Sequence, residues 1–125
     1  MLEHIVEPIP IAGWLVLKTV RHVESFAELT PGEAEVFGPL TRRITMAMTE
    51  VIRPTKIYLS MYMEGTNAAH LHVHLIPRSD DTPTDRCGPW IFEYARESTA
   101  AGRNLADVAA VRDLVARIRA ALGQP

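Results

Sequence analysis

The sequence predicts an α+β domain, a mostly antiparallel sheet with two main helices, and three observations lead there. Two short segments alternate apolar and polar residues around a glycine-containing turn, Ile57 to Tyr62 and then His70 to Ile76, which is the pattern of a hairpin. Two longer stretches, after Thr30 and after Asn104, repeat apolar residues every three or four positions, the period of a helix with one buried face. The order strand, helix, strand, strand, helix places helices against one face of an antiparallel sheet. With 125 residues, 47% hydrophobic and 22% charged, the chain has the size of one domain with one core, residues 1–125.

Met1 to Pro10 carries Pro8 and Pro10, which cannot donate to a sheet ladder, so it reads as an extended lead-in. Gly13 to Val20, with Trp14, Leu15, Val16 and Leu17 at its centre, is a continuous apolar run suited to a strand covered on both faces, hence a central one. Thr30, Pro31 and Glu33 supply a hydroxyl cap, a proline at the first helical position and a capping-box carboxylate. Phe37, Leu40, Ile44, Met48 and Val51 continue as a buried stripe until Pro54. Within it Gly38-Pro39 either kinks the helix or separates its first turns. Residues 56 to 77 then form the hairpin. Ser79 to Arg103 shows no sustained period and contains Pro83, Gly88, Pro89 and Gly102, so 79–103 is expected to be a long irregular connection anchored by Trp90. Asn104 caps a last helix over about 105–122, and Gly123 ends it.

The bulk numbers exclude several functions. A net charge of -2 offers no basic surface for nucleic acid or anionic membrane, so any anion must be captured locally. One cysteine, Cys87, rules out an intrachain disulfide and a thiolate zinc site, as in a reducing cytoplasm. No leader and no apolar run near the roughly 20 residues of a membrane span appears, so a cytoplasmic protein is expected.

His70, His72 and His74 fall within five consecutive positions. On a strand they project from one side while Leu71, Val73 and Leu75 project from the other. Imidazoles can ligate a metal or attack an electrophile. At about 3.3 Å per residue the first and last histidine lie roughly 13 Å apart along the strand, so one ion cannot readily serve all three. An extended phosphate chain can meet all three, with one neutral ring attacking phosphorus and its neighbours holding oxygens.

The run His70-Leu71-His72-Val73-His74-Leu75-Ile76 resembles the signature of the histidine triad (HIT) superfamily. Gly13 to Leu17, then Arg21-His22-Val23-Glu24, then Leu29 to Glu33 resemble that family's strand, loop and helix entry in the same order. The resemblance implies a nucleotidyl hydrolase or transferase, usually a homodimer, with His72 as nucleophile and its second ring nitrogen held by a carbonyl or other acceptor. His70 and His74 would contact phosphate or leaving group. By motif offset Asn67 would lie near the leaving group and Gly65 would be the preceding backbone contact, and Arg78 would reach a phosphate. Retention of His74, where transferases often carry glutamine, favours hydrolysis, as in the diadenosine polyphosphate hydrolase-like branch. Substrates would be dinucleoside polyphosphates, nucleoside phosphoramidates or other adenylylated molecules. No cofactor or protein-bound metal is required, and a divalent cation could arrive with the nucleotide.

Two departures qualify that picture. Many relatives place a fourth histidine after the glycine corresponding to Gly13, where this chain has Trp14, which can pack or stack but cannot accept a proton. About twelve residues precede Gly13, so the elements that build the nucleoside pocket in relatives are expected to be short or missing. His22 is read as structural. The alternative functions are a nucleotide-binding or regulatory protein with little turnover and, more distantly, a histidine metal-binding protein.

Overall fold

In the computed structural model, which describes residues 1–4, 11–64, 69–103 and 107–123, the chain runs β1 (Leu2–His4), β2 (Leu15–Lys18), α1 (Pro31–Ile52), β3 (Lys56–Tyr62), β4 (His72–Arg78), α2 (Ile91–Ala100) and α3 (Val108–Ala121). Strand order is β1-β2-β4-β3 with every neighbouring pair antiparallel. The expected hairpin is present, and β2 is interior as its unbroken apolar run requires. The lead-in is not uniformly extended coil: Leu2–His4 pairs with β2 as an edge strand, possible because both prolines fall after it.

The entry to α1 follows from its first four residues. The Thr30 side chain accepts from the Glu33 N–H while the Glu33 carboxylate accepts from the Thr30 N–H, satisfying two otherwise orphaned donors. Arg21 binds the same carboxylate at 2.8 Å, and this hydrogen bond, with that from Thr30, lowers the Glu33 pKa to about 2. Pro39 lies inside α1 without splitting it. Its loss of one hydrogen bond, costing about 3 kcal/mol, is offset by the stripe Phe37, Leu40, Ile44 and Met48, which packs into the main core. Arg53 closes the helix in the left-handed conformation at φ 52°, directly before Pro54.

That core joins one face of the sheet (Leu15, Leu17, Val73, Leu75) to α1 (Ile44, Met48), to Ile118 of α3 and to Leu122 just after it. A second, smaller core lies on the opposite face, where Trp14, Val16 and Ile76 meet Ile91 and Ala95. This corrects two expectations. Helices cover both faces, and 79–103 is not an irregular connection throughout, because Ile91–Ala100 is helical. Its inward residues are Ile91, Ala95 and Ser98, spaced four and three apart, a two-turn repeat too short to stand out among the flanking breakers. The anchor is also different: Trp90 is 58% exposed, whereas Ile91 is fully buried.

The last helix is capped by Asp107, whose side chain accepts from Ala110 N–H; Asn104 and Leu105 lie outside the described residues. Gly123 follows the helix at φ +66°, as its position predicts. Among the described residues no helix is long and apolar enough to cross a membrane.

Candidate functional site

The register of the sheet decides what surrounds the histidines. On β4, His72 lies between Lys18 of β2 and Tyr62 of β3, and His74 lies between Val16 and Ser60. The alternation of β4 sends Val73 and Leu75 into the main core and leaves His72 and His74 on the side covered by α2. His70 precedes the strand, so the expectation that all three histidines share one strand face holds only for His72 and His74. There the Leu71 N–H donates to the Val23 carbonyl at 2.7 Å, which ties the start of the motif to the loop after β2.

Each histidine has a different partner. His72 Nδ1 lies 2.7 Å from its own neighbour's backbone oxygen, that of His70. A carbonyl only accepts, so Nδ1 carries the proton and a neutral His72 keeps a lone pair on Nε2. His70 directs Nε2 to the Thr19 carbonyl at 3.2 Å and Nδ1 to His22 Nδ1 at 3.3 Å, with the two rings stacked at a centroid separation of 5.4 Å. His22 Nε2 in turn meets the Glu24 carboxylate at 3.3 Å.

His74 is the most enclosed. The buried Trp14 indole donates from Nε1 to His74 Nδ1 at 2.9 Å, and the ring is edge-on to Trp14, Phe92 and Tyr62 at centroid distances of 5.6, 5.6 and 6.1 Å. His72 completes the surround at 5.0 Å. Burial, and secondarily the charge of His72, lowers the His74 pKa from its ordinary value to about 4, because a desolvated imidazole resists protonation.

The histidines of the motif therefore come together, and other expected residues do not join them. Gly65 and Asn67 lie outside the described residues. Arg78 sits at the far end of β4, roughly 13 Å from His74 along the strand. Its guanidinium donates to the Ser79 carbonyl, and it lines a separate cleft of about 320 Å³ with Ile11, Pro77 and Tyr94.

Four residues enter the site that the sequence left as packing or did not mark. Trp14 is core, but its indole N–H is also a ligand of His74; its place directly after Gly13 was the available signal. His22 contacts His70 rather than serving the loop alone. Phe92 and Tyr62 wall His74, and nothing in their local pattern announces it. A larger, mostly apolar cavity of about 610 Å³ opens behind the sheet instead, lined by Leu17, Val36, Phe37, Leu71 and Val73. Among the described residues no cluster of three His, Cys, Asp or Glu side chains is arranged to hold a metal ion.

No protein-family model matches the chain, and no curated protein matches it at a significant level. Solved structures do resemble it. A HIT-like protein involved in cell-cycle regulation from Bartonella henselae, determined with an unknown ligand, superposes with a TM-score of 0.60 at 14% identity over 89% of this chain and 72% of that one. A zinc-bound histidine triad family protein from Mycobacterium smegmatis gives a TM-score of 0.50 at 18% identity over 90% and 75% of the two chains. At these identities the likeness is one of fold.

Proposed function

We propose that this chain, whose fold is that of histidine triad proteins, hydrolyses a nucleotide through a covalent intermediate on His72. The observation that carries the reading is the 2.7 Å contact of His72 Nδ1 with the His70 carbonyl, which fixes the tautomer a nucleophile needs. In the first step the Nε2 lone pair forms a bond to the nucleotide's phosphorus. The bond from phosphorus to the leaving group breaks, and its electron pair departs with that group. In the second step a water oxygen bonds phosphorus, the nitrogen–phosphorus pair returns to His72, and the water proton passes to solvent.

His74 offers Nε2–H to a phosphate oxygen, and His70 lines the approach. Gly65 and Asn67 are assigned to the leaving-group side by motif offset alone, whereas Arg78 lines a separate cleft and is given no role. A second copy of the chain is the natural partner for the outer edge of β3, where Leu59 and Tyr62 are 53% and 47% exposed; sedimentation at micromolar concentration should give twice the monomer mass.

His72→Ala should lower hydrolysis of a panel of dinucleoside polyphosphates and nucleoside phosphoramidates by at least about 10³-fold, and mass spectrometry of the quenched wild-type reaction should find a nucleotidyl group on His72. Full turnover by His72→Ala would overturn the assignment. The edge contact of Phe92 with the His74 ring favours one alternative, a protein that binds nucleotides with little turnover. Calorimetric binding by a wild-type protein that hydrolyses nothing in the panel would select that alternative.

A further inference from the structure

A histidine that must protonate a leaving group needs to become imidazolium, and imidazolium carries a proton on both nitrogens. At His74 the geometry opposes that state. Indole N–H is a donor with no acceptor capacity, and it lies 2.9 Å from His74 Nδ1. A proton on Nδ1 would set two donors face to face inside an aromatic box of Trp14, Phe92 and Tyr62. The remaining titratable group against the ring, His72 at 5.0 Å, would add like-charge repulsion whenever it was protonated. Ser60, opposite His74 on β3, carries no charge to offset it.

Neither flanking ring replaces the missing acid. His72 Nε2 is the attacking atom in the reading above, and both nitrogens of His70 lie within hydrogen-bond distance of Thr19 and His22.

We infer that the Trp14 indole holds His74 as a neutral donor and so restricts the site to substrates whose leaving group departs without gaining a proton, phosphoanhydrides rather than phosphoramidates. The inference deepens the proposed function and rests on it for its substrate half. In an anhydride the breaking phosphorus–oxygen bond leaves its electron pair on a phosphate oxygen, which is stable as an anion. In a phosphoramidate the breaking phosphorus–nitrogen bond leaves its pair on an amine nitrogen, which must take a proton as the bond breaks. His74 Nε2–H can hydrogen-bond either group, but giving that proton away from a neutral ring would leave an imidazolate. The burial-lowered pKa of His74, about 4, points the same way. Trp14 is thus a positioning residue acting through His74.

Two measurements on the full chain separate the parts of this inference. Nitrogen-15 NMR of His74 should show the Nε2-protonated tautomer from pH 8 down to about pH 5 in the wild type, and a tautomer mixture that protonates within that range in Trp14→Phe, which keeps an aromatic ring but loses the donor. A wild-type His74 that is Nδ1-protonated, or imidazolium at pH 6, would sink the lock. Hydrolysis of diadenosine tetraphosphate and of adenosine phosphoramidate should differ by at least about 10²-fold in favour of the former, the scale of a missing general acid. That ratio should fall about tenfold or more in Trp14→Phe and in Trp14→His, whose imidazole can accept a proton from His74 Nδ1. An unchanged ratio in both variants, with the fold intact by circular dichroism, would overturn the substrate restriction. If the wild type hydrolyses neither compound, the hydrolase reading and the restriction fall together, and the NMR result alone then decides the lock.

Discussion

The two faces of the sheet are built from the same strands and do opposite things. Behind β2 and β4, Leu15, Leu17, Val73 and Leu75 meet α1 and α3 in a continuous aliphatic core; in front, Trp14, Val16 and Ile76 meet the short α2 and share their surface with two imidazoles. The back face is stabilised by area and close packing, which are indifferent to pH. The front face is smaller and aromatic, and it uses its apolar rings to set the state of a titratable group. Alternation along one strand is enough to divide the two faces: every odd residue of β4 from Val73 to Pro77 is buried, and the even positions 72 and 74 carry the imidazoles.

The contrast can be broken from the back first. Leu75→Ala removes a fully buried side chain at the centre of the main core and should cost about 2–5 kcal/mol in urea unfolding, while any protein that remains folded keeps the Trp14–His74 hydrogen bond. Phe92→Ala attacks the front. It should cost less, about 1–3 kcal/mol for a partly buried ring, and should raise the His74 pKa by admitting water, an effect that Leu75→Ala should lack; proton NMR titration of both variants makes the comparison.

Acid should sharpen the same difference. The folded His74 value of about 4 lies below the unfolded value of about 6.5, so between them the unfolded chain binds more protons. The contribution is fully present above about pH 6.5 and is lost as pH falls toward 4, by about 1–2 kcal/mol once solvent screening of the half-buried ring is allowed for. Chemical denaturation at pH 7 and pH 5 should show this loss, and its absence in the wild type would mean that His74 is not desolvated. The smallest effect belongs to the entry of α1: Thr30→Ala should remove one half of the capping box and lower stability by about 1 kcal/mol, at every pH above 5 alike, since the Glu33 carboxylate titrates only near 2. A pH-dependent loss would tie that helix end to the histidine face.

Much of this was legible locally. The capping box at Thr30, the long stripe of α1, the hairpin and the shared face of His72 and His74 all follow from residues within a few positions of one another, where period and cap chemistry are complete in the sequence itself. The failures are of one kind. Phe92 and Tyr62 reach His74 only because α2 folds back over the sheet and β3 pairs in one register, and α2 is a ten-residue helix whose inward face has three residues. Too few repeats carried the signal. Trp14 was visible as an unusual residue, but its role depends on which way an indole N–H points sixty residues away from its acceptor.

What the sequence by itself determined is the pair His72 and His74 on a strand with an apolar reverse side, with His70 just before it, and with them the kind of chemistry the chain could attempt. Side-chain alternation is a property of the backbone and needs no partner. Only the tertiary structure decided the state of each ring: a carbonyl for His72, a loop histidine for His70, and an indole and aromatic walls for His74. Protonation and tautomer depend on what lies within about 3 to 6 Å of the ring, and those neighbours are assembled by folding from residues far apart in the chain.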